Sequence, residues 1–225
     1  MSLHKGNTIN EIYNSRKNLL NYLKGQNYET EQYENFTIAE ISAMEQASNQ
    51  QNAQPMTSQL NFDVKTQKSA KDSGNVRSCS VVYYLNKAMK KSVLQELINE
   101  YYDDDEIDKK LSSLIIITNN VNDTNMNIVR EMWEKYGEYC ILFELSSLQY
   151  NVIEHGFVPK HAKQSEEQKE IIKKKYNISN DSQFPEISMF DPVAKAIMLR
   201  PGELCEITRY EKISFQNVFY RMCVI

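Results

Sequence analysis

The chain has 225 residues, with 26 Lys/Arg against 30 Asp/Glu and a formal net charge of −4. That balance excludes a protein that holds nucleic acid by bulk positive charge, and the length admits one large domain or two small ones. The charge is uneven: residues 1–150 carry 15 Lys/Arg and 20 Asp/Glu, and residues 151–225 carry 11 and 10, which fits two units with different neighbours.

No run approaches the roughly 18 apolar residues that a membrane span needs, and residues 1–10 lack the apolar core of a signal peptide. A soluble chain made in the cytosol, with no membrane partner, is expected. Cys79, Cys140, Cys205 and Cys223 form no CxxC pair and have no histidine at ligand spacing. They read as small buried thiols in a reducing compartment, and neither a metal site nor a cofactor is expected.

In chain order, Thr8 and Glu11 have capping-box spacing and predict a helix start. Ile9, Ile12, Tyr13, Leu20 and Leu23 share one face, and Gly25 is placed to end the helix in a left-handed cap. Residues 28–35 read as extended. Thr37 and Glu40 repeat the capping-box spacing ahead of a short stripe of Ile38, Ile41 and Met44. Residues 45–75 are rich in Gln, Asn, Ser and Lys, and predict a mobile polar insertion in which only residues 60–64 alternate like a strand.

Periodicity then returns. Residues 79–85 predict a strand, and residues 92–102 a helix with Val93, Leu94, Leu97, Ile98 and Tyr101 on one side. The acidic run 103–106 reads as a solvated turn. Residues 114–117 form a second apolar strand. Residues 125–136 predict a helix facing inward through Met126, Val129, Met132, Trp133 and Tyr136, and residues 139–145 a third strand. This alternation predicts a mixed α/β fold, with a mainly parallel sheet covered by helices through right-handed crossovers.

Ligands of such sheets sit beyond the carboxyl ends of the strands, here Asn86, Lys87, Lys90 and Lys91, and residues 118–125. There is no GxGxxG or Walker A sequence, and the six glycines are not clustered, which argues against a dinucleotide site. The loop 119–125 still offers polar side chains and a helix N-terminus suited to phosphate, weakened by Asp123. The alternative is an Asn-rich surface turn closed by an Asp or Thr cap.

The last third has local signals throughout. Pro159 forces the residue before it out of helical backbone. Ser165 with Gln168 predicts a capped helix, with Glu166 and Glu167 in the first turn and Lys173, Lys174 and Lys175 in the last. Its buried side is read as Ile171, Ile172 and Tyr176. Pro185 makes the next segment extended, and Asp191-Pro192 is a cap followed by proline at the first helical position. Arg200-Pro201-Gly202-Glu203 suits a type II turn. Residues 204–209 and 218–224 close the unit as strands, joined by a broad hairpin over 210–217. Arg221 interrupts an apolar strand and calls for an acidic partner, from this chain or another.

The matching residues are 157–161, 165–176, 184–187, 191–194, 200–203 and Tyr220-Arg221. Across nearly all of 155–225 their order and spacing resemble the fifth subunit of eukaryotic nuclear RNA polymerases, the one shared by all three enzymes. In this part the family is similar to its short archaeal RNA polymerase counterpart. The resemblance implies an N-terminal three-layer α/β jaw, residues 1–150, lying beside downstream DNA. It also implies a small α+β assembly domain, residues 151–225, docking on the largest polymerase subunit among other subunits. The docking residues it implies are Val158, Pro159, Lys160, His161, Pro185, Asp191, Pro192, Val193, Tyr220 and Arg221. The DNA-proximal ones are Asn119, Asn120, Thr124, Asn125 and Lys87, in weak contact made only within the complex. No catalytic residue, metal or cofactor is implied here, because the polymerase magnesium site belongs to other subunits.

The chain departs from the family pattern at three places. The 200–203 turn carries an extra proline, residues 197–199 lack an expected glycine, and the hairpin lacks a glycine-containing stretch. With the Asn/Gln-rich insertion this drift fits a divergent lineage such as a large DNA virus. The implied location is the site of transcription: the nucleus in a cell, or the host cytoplasm and virion for a virus. Two alternatives come from other classes. Asp63-Val64-Lys65 matches the acidic-x-lysine step of restriction-endonuclease-like nucleases, which bind magnesium through paired carboxylates. A general protein-interaction adaptor is the other.

Overall fold

The computed structural model describes residues 2–50, 55–66, 76–85, 88–104, 107–211 and 215–225. The chain divides into two compact units, residues 1–150 and 151–225. Among the described residues no helix is long and apolar enough to cross a membrane.

The first unit opens with helix α1, Ser2–Gly25. Nothing in residues 2–7 stops the helix, so it begins ahead of Thr8, which is not its cap. Its inner face is Ile12, Ser15, Arg16, Leu19, Leu20, Tyr22 and Leu23. Gly25 stays helical and the left-handed residue is Asn27, at φ 64°. Tyr28 N–H reaches the Leu23 carbonyl and Asn27 N–H the Lys24 carbonyl, each at 3.1 Å, a Schellman ending with asparagine in the place glycine usually takes. Residues 28–35 are not extended throughout, because α2 spans Glu31–Glu34.

The Thr37/Glu40 capping box forms as read: each residue's backbone N–H is accepted by the other's side chain, at 2.7 and 3.3 Å. Helix α3, Ile38–Gln50, buries Ile41 but leaves Ile38 exposed, so the expected stripe narrows to its centre. It also carries helix into what reads as a structureless insertion; of that insertion, residues 51–54 and 67–75 lie outside the described residues. The alternation at residues 60–64 becomes strand β1, Phe62–Lys65, with Phe62 and Val64 buried.

Strands β2 (Ser78–Tyr84), β3 (Ser112–Thr118) and β4 (Cys140–Glu144) are parallel neighbours, and β1 adds an antiparallel edge. Helices α4 (Lys91–Tyr102) and α5 (Asp123–Tyr136) are the crossovers. The pairing puts Tyr83, Ile117 and Phe143 in one row. Tyr83 meets Ser15 and Phe143 meets Tyr22, so α1 covers that face, and the residues alternating with them face the other way. The inner face of α5 is shifted from the expected one. Asn125, Ile128, Val129 and Met132 are buried while Tyr136 is exposed.

The second unit is a four-stranded sheet in the order β5 (Lys160–Lys163), β7 (Leu204–Glu211), β8 (Phe215–Val224), β6 (Glu186–Ser188). The strands pair antiparallel except β6 with β8. The β7–β8 pairing continues to Glu211 and Phe215, so the hairpin is tight rather than broad, and residues 212–214 lie outside the described ones. Helix α6, Glu166–Lys175, has the full Ser165/Gln168 capping box. Of its expected buried side only Ile172 is inside; Ile171 and Tyr176 are exposed. Ile172 packs with Phe184, Leu204 and Met222. All four cysteines are free and buried. Burial pushes the Cys205 thiol up to about 11.

Candidate functional site

The residues read as partner-facing divide between the two edges of the second sheet. At the β5 edge, Val158 and Pro159 are half-buried, Lys160 is exposed and His161 half-buried. The His161 Nδ1–H donates to the Pro159 carbonyl at 2.7 Å, which fixes the ring and leaves Nε2 as an acceptor.

At the other edge Pro185 leads into β6 and its carbonyl accepts Met222 N–H at 2.8 Å. Asp191 Oδ1 accepts the N–H of Val193 at 2.8 Å and of Ala194 at 3.2 Å, capping helix α7, Pro192–Ala196. Its charge therefore serves its own helix. Pro192 is exposed and Val193 half-buried. Tyr220 lies 5.9 Å from the Tyr176 ring, and burial, then Glu206, pushes its phenol up. Arg221 does not meet the acidic partner asked of it. It is only partly buried, so no counter-ion is required, and Nη1 donates to the Glu186 carbonyl at 2.8 Å.

The loop at the carboxyl end of β3 is held more tightly than its Asn-rich sequence implies. Asn119 Nδ2 donates to the Leu85 carbonyl at 2.6 Å, and Glu144 Oε1 accepts Val121 N–H at 2.9 Å. The α5 cap is Asn122, whose side chain accepts Asn125 N–H at 2.9 Å; neither Asp123 nor Thr124 is the cap. Asn119, Asn120 and Thr124 are exposed, but Asn125 is 1% exposed and cannot face DNA. It sits in the first turn of α5 on the side that packs against the sheet. Its amide and the Thr118 hydroxyl are buried with no hydrogen-bond partner among the described residues. Lys87 lies outside the described residues. With Asp123 and Glu144 beside it, the loop is not an anion trap.

Asp63 and Lys65 are exposed on the outer strand β1, beside an open cleft of about 730 Å³ also lined by Glu100, Asp104 and Asp108. Among the described residues no cluster of three or more His, Cys, Asp or Glu able to hold a metal occurs.

Two features escaped the sequence reading. Lys169 is 7% exposed, yet its Nζ lies 2.9 Å from Asp181 and donates to the Gly202 carbonyl at 3.0 Å, tying α6 to two turns. Lys173, also 2.9 Å from Asp181, and then Lys169 hold that carboxyl below its ordinary range. The clue was spacing, since Lys169 is three residues before Ile172 on the same helical face. The second feature is a group of exposed aromatics. Phe157, Tyr210 and Phe215 are 93%, 78% and 81% exposed, and Phe219 lies under the Arg209 guanidinium at 5.0 Å.

Residues 150–223 match the family described as "RNA polymerase Rpb5, C-terminal domain". The chain is similar to DNA-directed RNA polymerase subunit Rpo5 of Thermococcus kodakarensis, 38% identical over 76 residues, which are 34% of this chain and 92% of that protein. It is 36% identical over 77 residues to Rpo5 of Archaeoglobus fulgidus, covering 34% of this chain and all of that one. With DNA-directed RNA polymerases IV and V subunit 5B of Arabidopsis thaliana it shares 35% identity over 83 residues, 37% of each chain.

Proposed function

Because the chain belongs to the family of the fifth DNA-directed RNA polymerase subunit, we propose that it works as a structural subunit of a multisubunit DNA-directed RNA polymerase, supplying no reacting group itself. One observation carries this reading. The matched span, residues 150–223, coincides with the second compact unit, residues 151–225, and that same span makes up nearly all of the Rpo5 relatives. The residues of resemblance therefore form a folded module and are not scattered over the chain.

In this reading the second unit docks on the largest subunit and the first unit lies beside the downstream duplex. The chain then works where transcription takes place. The DNA contact is slight. Residues 1–150 hold five more acidic than basic residues, so they repel the duplex unless other subunits bring it close. Asn119, Asn120 and Thr124 are the exposed side chains of the β3–α5 loop suited to phosphate.

The test is co-expression with a polymerase largest subunit. The full chain co-purifies with it, and deletion of residues 151–225 abolishes the association. A truncated form that still binds would overturn the docking assignment. The free chain is expected to show no salt-sensitive binding to duplex DNA.

A further inference from the structure

We propose that the open edge of β8, over residues 215–220, receives an extended acidic-and-apolar segment of the largest subunit as an added strand. The proposal rests on the polymerase reading above and names the contact through which docking occurs.

Strand β8 spans Phe215–Val224, but β6 pairs only with Met222, Cys223 and Val224. Met222 N–H and the Val224 carbonyl bond toward the β6 side, and Cys223 N–H toward Glu203 on the β7 side. By alternation Gln216, Val218 and Tyr220 direct their N–H and C=O groups away from β7. Continuing the parallel ladder would require residue 185 to donate its N–H to the Tyr220 carbonyl. Residue 185 is proline and has none. Just before it the chain leaves the strand line in a 3₁₀ turn, Asp181–Gln183. Among the described residues nothing pairs with the outward groups of 216, 218 and 220.

Soluble proteins blunt such edges. The β5 edge is short and carries Lys160 and Lys163. The β8 edge instead carries Phe215, Val218 and Phe219, all exposed. Its chemistry specifies the occupant. Phe215, Phe219 and Arg221 share one face, joined there by Arg209 on β7. Neither arginine has an ion-pair partner among the described residues. The incoming strand therefore carries a carboxylate and an apolar side chain on that face, and an apolar group against Val218 on the other. A second copy of this chain fits poorly, because residues 215–224 contain no Asp or Glu.

Val218→Pro tests this in the full chain co-expressed with the largest subunit. It deletes an outward N–H and spares the β7 ladder. The expected result is association weakened about tenfold or more, with an unchanged circular dichroism spectrum for the free protein. In the wild-type complex the amides of Gln216, Val218 and Tyr220 exchange hydrogen much more slowly than in the free chain. Equal binding by Val218→Pro, or unchanged exchange at those amides, overturns the proposal while leaving docking intact. Should Val218→Pro not fold, the wild-type exchange measurement decides alone. Protection of the same amides in the free chain, with dimer formation, overturns the choice of occupant. Failure of the wild type to bind the largest subunit overturns the docking reading itself.

Discussion

Replacing Lys169 by methionine measures what the buried ammonium contributes. The lysine side chain is 9% exposed, 2.9 Å from Asp181, and donates to the Gly202 carbonyl at 3.0 Å. Asp181 is 41% exposed, so solvent screens the ion pair, which is worth about 1 kcal/mol at most. The bond from a charged donor to a carbonyl is worth about 1.5–3 kcal/mol. An apolar replacement for a buried charge is often neutral when both partners leave together. Here the Gly202 carbonyl stays behind, so a loss is expected. Methionine keeps most of the buried stem, and Lys169→Met should cost about 2–3 kcal/mol. Lys169→Ala also strips methylenes at about 0.8 kcal/mol each and should cost about 2 kcal/mol more. Native-state hydrogen exchange at Ile172, Leu204 and Met222 reads the effect; 2 kcal/mol accelerates exchange about 30-fold. Exchange within about threefold of wild type in Lys169→Met would mean that the bridge contributes no net stability. Equal costs for Met and Ala would mean that the stem does not pack.

The same bridge depends on acid. Lys173, then Lys169, depress the Asp181 pKa, so the stabilisation is complete above the unfolded value near pH 4 and is lost as pH falls through the lower folded value. The stability gap between wild type and Asp181→Asn in urea unfolding should therefore close below about pH 4, and a gap that ignores pH refutes the linkage. In the first unit Arg16 donates to the Leu60 carbonyl at 2.9 Å, with its guanidinium 4.4 Å from the Phe62 ring and 5.1 Å from Phe36. Arg16→Met should cost about 2–4 kcal/mol, followed through Trp133, the single tryptophan, which lies in the same unit. Met198 sits at φ 53° with its side chain buried. Met198→Gly relieves about 1 kcal/mol of backbone strain but removes a side chain worth about 2–5 kcal/mol, so the thermal midpoint should fall, not rise.

Much of this fold was legible because its signals are local. The Ser165/Gln168 and Thr37/Glu40 capping boxes, the Asp191-Pro192 start and the Arg200–Glu203 turn each need only neighbouring residues. The Glu203 N–H closes that turn on the Arg200 carbonyl at 3.0 Å, with Gly202 at φ 89°. The parallel sheet was legible because β3 is apolar on both faces. Helix endings were misread where glycine was taken as the left-handed residue. Asn27, Asn177 and Met198 hold positive φ instead, and only the hydrogen bonds reveal them. The absent glycine noted at 197–199 is explained the same way: Met198 occupies the left-handed position closing α7. At the candidate site, exposure separated Asn119 from Asn125, and no one-dimensional pattern distinguishes two asparagines six residues apart on a loop and a helix turn. Arg16 and Lys169 escaped because charged residues read as surface, whereas their partners are carbonyls, rings and one carboxylate brought in by other elements.

The two units leave their apolar surface in different states, and this bears on docking. In the first, the exposed large apolar residues with described side chains are Ile38, Tyr136 and Tyr150, far apart in sequence and on different elements. Scattered residues of that kind need no partner to account for them. In the second, Tyr210, Phe215, Val218 and Phe219 gather on one hairpin whose base is anchored by buried Leu204, Cys205, Met222 and Cys223. A strand buried at one end and bare at the other holds its free end in a fixed direction, so little ordering entropy opposes its pairing with a partner. If the hairpin were only a solvated loop, replacing Phe215 and Phe219 with serine would leave largest-subunit association unchanged. The added strand requires that association to weaken, because its odd-numbered face would lose both aromatic contacts.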